Sequence, residues 1–317
     1  EQVYEIKKLK GVYIETVPKR LYPNNELVSQ LIGFVGVDNV GLSGIEYLFD
    51  KQLRGTPRVT KYIKDNKGRP VKFESIDKGN QGKDINLSID KEIQFIAEKY
   101  LKETVLKYQA TKGGVGVMDV QTGEILAIAN YPTFDPNKSK ASKAKNRKLS
   151  FVSDPFEPGS TFKLFTAASA LENKIATPDT NYYCEEGRLK VSGHVIREAE
   201  AKKKYEWLSL EEIIKYSSNV GTTKVAFDLT FPRLNKTLVD FGIGQKTGIE
   251  LPGESKGIIS SDDNVSPIKL SNISFGQGVA TTGIQMLAAY GAIANKGIYV
   301  RPTILKNQPL EERQKRI

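Results

Sequence analysis

The spacing of apolar residues changes character near Asp84. Residues 1–84 are rich in Gly, Tyr and β-branched residues, with turn signals at Pro23-Asn24-Asn25, Gly41, Gly55 and Asp65-Asn66-Lys67-Gly68. That pattern predicts an irregular, mostly β module with one helix near Asn25 to Ile32. From Ile85 to Ile89 the chain alternates as a short strand does. Asp90 then stands as an N-cap, and Ile93, Ile96, Ala97, Tyr100, Leu101 and Val105 keep helical spacing behind it. Two apolar runs, Val115 to Met118 and Ile125 to Ala129, flank the turn Gln121-Thr122-Gly123 and predict a β-hairpin covered on both faces. Two domains are therefore expected, 1–84 and 85–317.

A basic loop of low hydrophobicity, Asp135 to Ser150, leads into a helical pattern carried by Phe162, Phe165, Ala168 and Leu171. Tyr182 to Trp207 has scattered Gly and charge and reads as an excursion. Ser209-Leu210-Glu211-Glu212 is a capping box that opens a short helix. This helix stops at Ser217-Ser218-Asn219, and a second helical run begins at Val220. Turns at Phe241 to Gly244 and Leu251 to Glu254, the Gly-rich Ser274 to Gly278, and a helix from Gly283 to Asn295 follow.

Composition narrows the chemistry. With 317 residues, 39% hydrophobic and 26% charged, the chain can bury one large core or two moderate ones. No run of about 18 apolar residues is present, so no membrane span is expected within it. No signal peptide is visible, and Glu1-Gln2-Val3-Tyr4 reads as a start inside a structured region. The net charge of +10 is spread over Lys-rich loops such as Lys138 to Lys148, and no nucleic-acid motif accompanies it. A single cysteine, Cys184, excludes an internal disulfide and a cysteine-based metal site. A single histidine, His194, argues against a Ser-His-Asp triad, leaving lysine as the natural base.

Glu157-Pro158-Gly159-Ser160-Thr161-Phe162-Lys163 supplies such a lysine. Ser160 falls in the first turn of the predicted helix, and Lys163 lies one turn above it on the same side. A desolvated amine loses its proton more readily and can activate a neighbouring hydroxyl, while the helix N-terminus favours the alkoxide. Ser-x-x-Lys also occurs by chance on solvated helices. Ser217-Ser218-Asn219, between two helices, can relay a proton through its hydroxyl and hold a lysine or a carbonyl through its amide. Taken alone, it is ordinary capping chemistry.

Together these segments resemble the penicillin-recognising serine enzymes. The flanking residues are similar to class B penicillin-binding proteins, division-type members most of all. They are Phe156 to Lys163, Tyr216 to Gly221, Thr247 to Glu254, Asp119 to Ala127 and Ser274 to Gly278, with Arg20-Leu21-Tyr22-Pro23 and Gly41 to Glu46 ahead of them. The resemblance covers nearly the whole chain. It implies an α+β penicillin-binding transpeptidase fold, with a central, mainly antiparallel sheet flanked by helices, behind a pedestal or dimerisation-like module. It also implies a peptidoglycan D,D-transpeptidase and β-lactam target. Ser160 would attack the penultimate D-Ala of a stem peptide and Lys163 would take its proton. Ser217 would pass that proton to the leaving amine, and Asn219 would position Lys163 and the substrate amide. No metal or organic cofactor is implied. The implied partners are stem peptides, β-lactams, a polytopic membrane glycosyltransferase and other divisome or elongasome proteins. The implied location is the periplasmic side of the membrane, behind a single-pass anchor.

The family's third motif, Lys-Thr/Ser-Gly on a sheet edge, has its letters in Lys246-Thr247-Gly248, but Pro252 lies too close for a long ladder strand. The working motif is expected after Ile317, and a polypeptide ending there is expected to have little or no activity. The alternatives are a hydrolase of the D,D-carboxypeptidase or β-lactamase kind, and a non-catalytic penicillin-binding scaffold or sensor. Cys184, His194 and Trp207 are assigned no catalytic role.

Overall fold

The computed structural model describes residues 19–67, 69–200, 202–260, 262 and 264–317. The opening Glu1 to Tyr4 and Gly68 of the predicted turn lie outside them. The chain divides into two units, residues 1–85 with 133–147, and residues 86–132 with 148–317.

In the first unit, short helices α1 (Ser29–Ile32), α2 (Gly44–Leu48) and α3 (Asp50–Arg54) precede an antiparallel hairpin, β1 (Val59–Lys64) and β2 (Pro70–Asp77). The helix expected near Asn25 to Ile32 is present as α1, the hairpin supplies the β part of the module, and α2 and α3 add helices that the sequence pattern did not mark. Helices of five residues complete scarcely one turn, too little for a 3.6-residue period to show in the sequence. Two of the recognised segments meet here, where Arg20 Nε donates to Glu46 Oε1 at 2.6 Å and Glu46 is buried. The loop 133–147, placed by the sequence reading in the second domain, belongs to this unit instead. Asn137 accepts from the Tyr22 N–H at 3.0 Å and donates to the Tyr22 carbonyl at 2.9 Å, and Gln30 Nε2 donates to the Asn146 carbonyl. Phe134 is buried and packs edge-on against Phe34 as well, and one aromatic among polar contacts sets up no hydrophobic period.

The second unit begins with α4 (Lys91–Lys107), capped by Asp90 Oδ1, which accepts from the N–H groups of Glu92 and Ile93 at 2.9 Å. Ile85 to Ile89 forms no strand. It makes a single bridge at Leu87, and the Ser88 N–H donates to the Ile304 carbonyl. The predicted hairpin is present as β3 (Gly113–Met118) and β4 (Ile125–Tyr131). It is covered on both faces. A Cβ at Gly113 would fall 2.7 Å from Val105 of α4, and one at Gly116 would fall 2.7 Å from the Phe151 ring of α5 (Ser150–Ser153). These glycines, three positions apart and so on opposite faces, let both layers approach.

The remaining elements are α6 (Lys163–Glu172), β5 (Asn181–Tyr183), β6 (Arg188–Val191), β7 (His194–Arg197), β8 (Trp207–Ser209), α7 (Leu210–Tyr216), α8 (Asn219–Leu229), α9 (Phe231–Asp240), α10 (Pro267–Ser274), α11 (Gly283–Ala294), β9 (Ile298–Val300) and β10 (Gln314–Arg316). Every ladder among the described residues is antiparallel and two-stranded, pairing β1 with β2, β3 with β4, β5 with β8, β6 with β7, and β9 with β10. Thr303 ties the chain near β9 to the hairpin turn, donating to the Gly123 carbonyl and accepting from the Ile125 N–H, both at 2.9 Å. The class is α+β. Two apolar cores flank α6: Phe165 enters one with Leu229, Leu234 and Ile273, while Ala167 and Ala170 enter the other with Tyr182, Leu208 and Ile213. The excursion contributes Tyr182, Cys184, Val191 and Ile196 to that second core.

Gln94 is fully buried on α4 and takes the place of a strand neighbour for β4. Its Oε1 accepts from the Ile128 N–H at 2.9 Å and its Nε2 donates to the Ile128 carbonyl at 3.0 Å. Gln94→Ala leaves both backbone groups buried and unpaired, at a cost of about 2 kcal/mol or more. The expected outcome is a lowered urea midpoint with an unchanged slope.

Candidate active site

Ser160 lies in a 3₁₀ turn, Gly159–Phe162, and α6 starts at Lys163. The sequence reading expected an α-helical first turn. In 3₁₀ geometry residues i and i+3 fall on one line, and Lys163 follows the turn directly as the first residue of α6, three positions after Ser160. Ser160 is exposed, whereas Lys163 is only 2% exposed. Ser274 to Gly278 straps this turn in place. The Gly159 N–H donates to the Gly276 carbonyl at 2.9 Å, the Gly278 N–H donates to Glu157 Oε1 at 2.8 Å, and Phe156 and Thr281 exchange backbone bonds. Behind the turn, Tyr290 Oη of α11 donates to the Thr161 carbonyl at 2.6 Å.

Lys163 is aimed at the second motif. Its Nζ donates to the Ser217 carbonyl at 2.5 Å and lies 3.0 Å from Ser217 Oγ. Neither partner is a carboxylate. Burial pushes the amine down to about 8, opposed by the Glu198 carboxylate and helped by the Lys203 ammonium. The turn that presents Ser217 follows from its sequence. The Ser209–Glu212 capping box starts α7, Ser217 ends it in the left-handed region at φ 57°, and Ser218 caps α8 by accepting from the Gly221 N–H at 2.9 Å.

Of the four residues singled out, the structure joins Lys163 to Ser217 by hydrogen bonds, and Ser160 lies in the 3₁₀ turn that leads directly into Lys163. Asn219 is held differently from the expectation. Its Nδ2 donates to the Arg197 carbonyl at 2.8 Å, and its N–H donates to Glu198 Oε2 at 2.7 Å. Glu198, 7% exposed, also accepts from Ser218 Oγ at 2.6 Å. It was missed because it lies in the excursion, where no motif or period marks it. Cys184 lies buried in the second core, its thiol pushed up to about 11 by burial, while His194 and Trp207 are exposed. Lys246-Thr247-Gly248 is not on a strand. The Thr247 N–H and hydroxyl both donate to Glu254 Oε1 at 2.6 Å, and the Gly248 N–H donates to Oε2 at 3.2 Å. Among the described residues no group of three His, Cys, Asp or Glu side chains is arranged to hold a metal ion.

A buried lysine amine, three residues beyond an exposed serine and bonded to a Ser-Ser-Asn turn, is the arrangement of groups that lysine-assisted acyl transfer to a serine would call for. Residues 113–317 match the penicillin binding protein transpeptidase domain, and residues 1–87 match the penicillin-binding protein dimerisation domain. The chain belongs to the penicillin-binding protein transpeptidase family, and the class B resemblance stands. It is 35% identical over 308 residues to the peptidoglycan D,D-transpeptidase FtsI of Buchnera aphidicola, covering 97% of this chain and 53% of that protein. It is also 35% identical over 312 residues to the stage V sporulation protein D of Bacillus subtilis, covering 96% and 48%. Penicillin binding protein 3 of Mycobacterium tuberculosis superposes with a TM-score of 0.80 at 30% identity, covering 94% of this chain and 64% of that one. That protein has also been solved with aztreonam and with ampicillin. The chain spans about half the length of the curated relatives it matches.

Gly276 adopts φ 80°, and a Cβ there would fall 2.2 Å from the Gly159 carbonyl oxygen. Gly276→Ala is strained both by its backbone conformation, at about 1–3 kcal/mol, and by this clash. It is expected to lower the melting temperature and to slow acylation of Ser160 by tenfold or more, read by labelled-penicillin kinetics.

Proposed function

We propose that this chain carries the catalytic site of a peptidoglycan D,D-transpeptidase. The observation that carries this is Lys163, an amine buried without a carboxylate partner, one 3₁₀ turn from an exposed serine and bonded to Ser217. A neutral Nζ has two N–H groups and one lone pair. The Ser217 carbonyl can only accept, so it takes an N–H and leaves the lone pair for a hydroxyl proton. Ser160 Oγ attacks the penultimate D-Ala carbonyl of a stem peptide as Lys163 takes its proton. Ser217 Oγ then passes a proton to the departing D-Ala amine. An acceptor amine attacks the ester, restores the Ser160 hydroxyl and forms the cross-link. Asn219 contributes through the substrate amide and through the shape of the turn.

A β-lactam ring presents a strained amide to the same serine and remains attached after opening. The Mycobacterium tuberculosis structures with aztreonam and ampicillin support extending this to the present chain. Peptidoglycan lies outside the cytoplasmic membrane, so we assign the site to that side and include a membrane glycosyltransferase among its partners. Among the described residues no helix is long and apolar enough to cross a membrane.

Incubating the full-length protein with a fluorescent penicillin should give one covalent adduct by intact mass, absent in Ser160→Ala. An adduct that persists in that variant would sink the assignment. Release of D-Ala that depends on an added acceptor amine separates transpeptidation from hydrolysis. Lys163→Ala is expected to slow acylation by about 10²–10⁴. Only the neutral amine can accept the proton, and burial lowers its titration to about 8. Acylation of the free enzyme should therefore rise with pH toward about 8 and flatten above it. A rate that stays level from pH 6 to 9 would exclude Lys163 as the base.

A further inference from the structure

We propose that Glu198 is a positioning residue for this chemistry, its carboxylate clamping the Ser217–Asn219 turn and so holding the Ser217 carbonyl and hydroxyl on the Lys163 amine. The inference rests on the roles given above to Ser160 and Lys163.

Glu198 follows the last residue of β7 and is 7% exposed. Each oxygen takes one donor from the turn: Oε1 accepts from Ser218 Oγ at 2.6 Å and Oε2 from the Asn219 N–H at 2.7 Å. The neighbouring Arg197 carbonyl takes the Asn219 side chain at 2.8 Å. Two consecutive residues at one end of a hairpin thus grip three groups of the turn, immediately after Ser217. The turn needs an outside grip, because Ser217 is a non-glycine residue at φ 57° and ψ 46°, a conformation that survives when its surroundings impose it. Both carboxylate oxygens act as acceptors here, one for the Ser218 hydroxyl and one for the Asn219 N–H. Ser218 Oγ in turn accepts from the Gly221 N–H, carrying the restraint into α8.

The same carboxylate faces Lys163 electrostatically. The charged or titratable groups around the pair include Lys203, itself paired with Glu200 at 2.8 Å, the buried Cys184 thiol near β5 with the Lys224–Glu185 pair beside it, and Glu186, Arg188, Arg197 and Lys204, which line the same cavity as Glu198. Burial is the main cause of the lowered Lys163 titration, and Glu198 favours the ammonium against it, so the clamp that holds the turn also moderates the charge of the amine.

Glu198→Gln removes the charge and turns an amide NH₂ toward a donor. Glu198→Asp keeps the charge on a shorter stem. Two readouts distinguish them: the pH profile of penicillin acylation in the full-length protein, and the Lys163 Nζ titration by ¹⁵N NMR. In Glu198→Gln the Lys163 midpoint and the acidic limb of acylation should both move to lower pH, and the plateau rate should fall about tenfold or more. In Glu198→Asp the midpoint should stay near that of the wild type while the rate falls. An unmoved Lys163 midpoint in Glu198→Gln overturns the proposal even if the rate drops, because a merely structural contact would change the rate alone. If Glu198→Gln does not fold, Ser218→Ala removes one arm of the clamp with the charge intact. It should slow acylation about threefold to tenfold at an unchanged midpoint, and a wild-type rate would overturn the proposal. Failure of the wild type to acylate would sink the function assigned to Ser160, whereas the Lys163 titration tests the Glu198 charge regardless.

Discussion

The contact between the buried Lys163 amine and Ser217 is the constraint on which the rest of the site depends. An ammonium moved from water into a protein interior loses solvation worth several kcal/mol, and the protein lowers that cost by letting the group become neutral. Neutrality is what a general base requires, so the burial that disfavours Lys163 as a cation makes it useful as an amine. Such burial needs a helix covered on more than one side. Helix α6 has this cover because Phe165 faces one apolar core and Ala167 and Ala170 face the other. The small residues on the second face let the excursion strands and α7 come close.

Placing the serine beside that amine is a problem of backbone close approach. Gly276 lies against Gly159 with no space for a side chain on the facing atom, and backbone bonds between Phe156 and Thr281 extend the contact. The Ser274 to Gly278 segment is thus a strap that fixes the nucleophile turn from outside the helix. Tyr290 of α11 holds the same turn from behind, through the Thr161 carbonyl. One segment presents the hydroxyl and another prevents its backbone from relaxing.

Carboxylates recur here as structural clamps. Glu254 gathers the Thr247 and Gly248 donors, and Glu250 takes the Thr303 hydroxyl at 2.8 Å and the Ile304 N–H at 3.1 Å. Glu198 does the same for Ser218 and Asn219. Each is an acceptor-only group closing a loop whose N–H groups have no ladder to join, which is the economical way to satisfy buried backbone donors outside regular structure. This is why Lys246-Thr247-Gly248 carries a motif's letters without its geometry, since its donors are already committed to Glu254.

The sequence by itself determined whatever covalent geometry fixes within a turn or two. The Asp90 cap, the Ser209–Glu212 capping box, the β3–β4 hairpin, the stop at Ser217-Ser218-Asn219 and the helical turn at Ser160 to Lys163 were legible, because neighbours three or four residues apart have little freedom in where they lie. Helix α1 was legible as the helix near Asn25 to Ile32, whereas α2 and α3 were not, being too brief to set up a period; the 133–147 loop hid its allegiance because it docks through polar bonds and one aromatic contact, Phe134 on Phe34. Only the tertiary structure decided that Lys163 would meet Ser217, 54 positions away in sequence, and that the amine would be desolvated enough to titrate near 8. Only it brought Glu198 out of an unpatterned excursion onto the turn. Those contacts depend on how two cores close around α6, and burial, unlike spacing, belongs to no single stretch of chain.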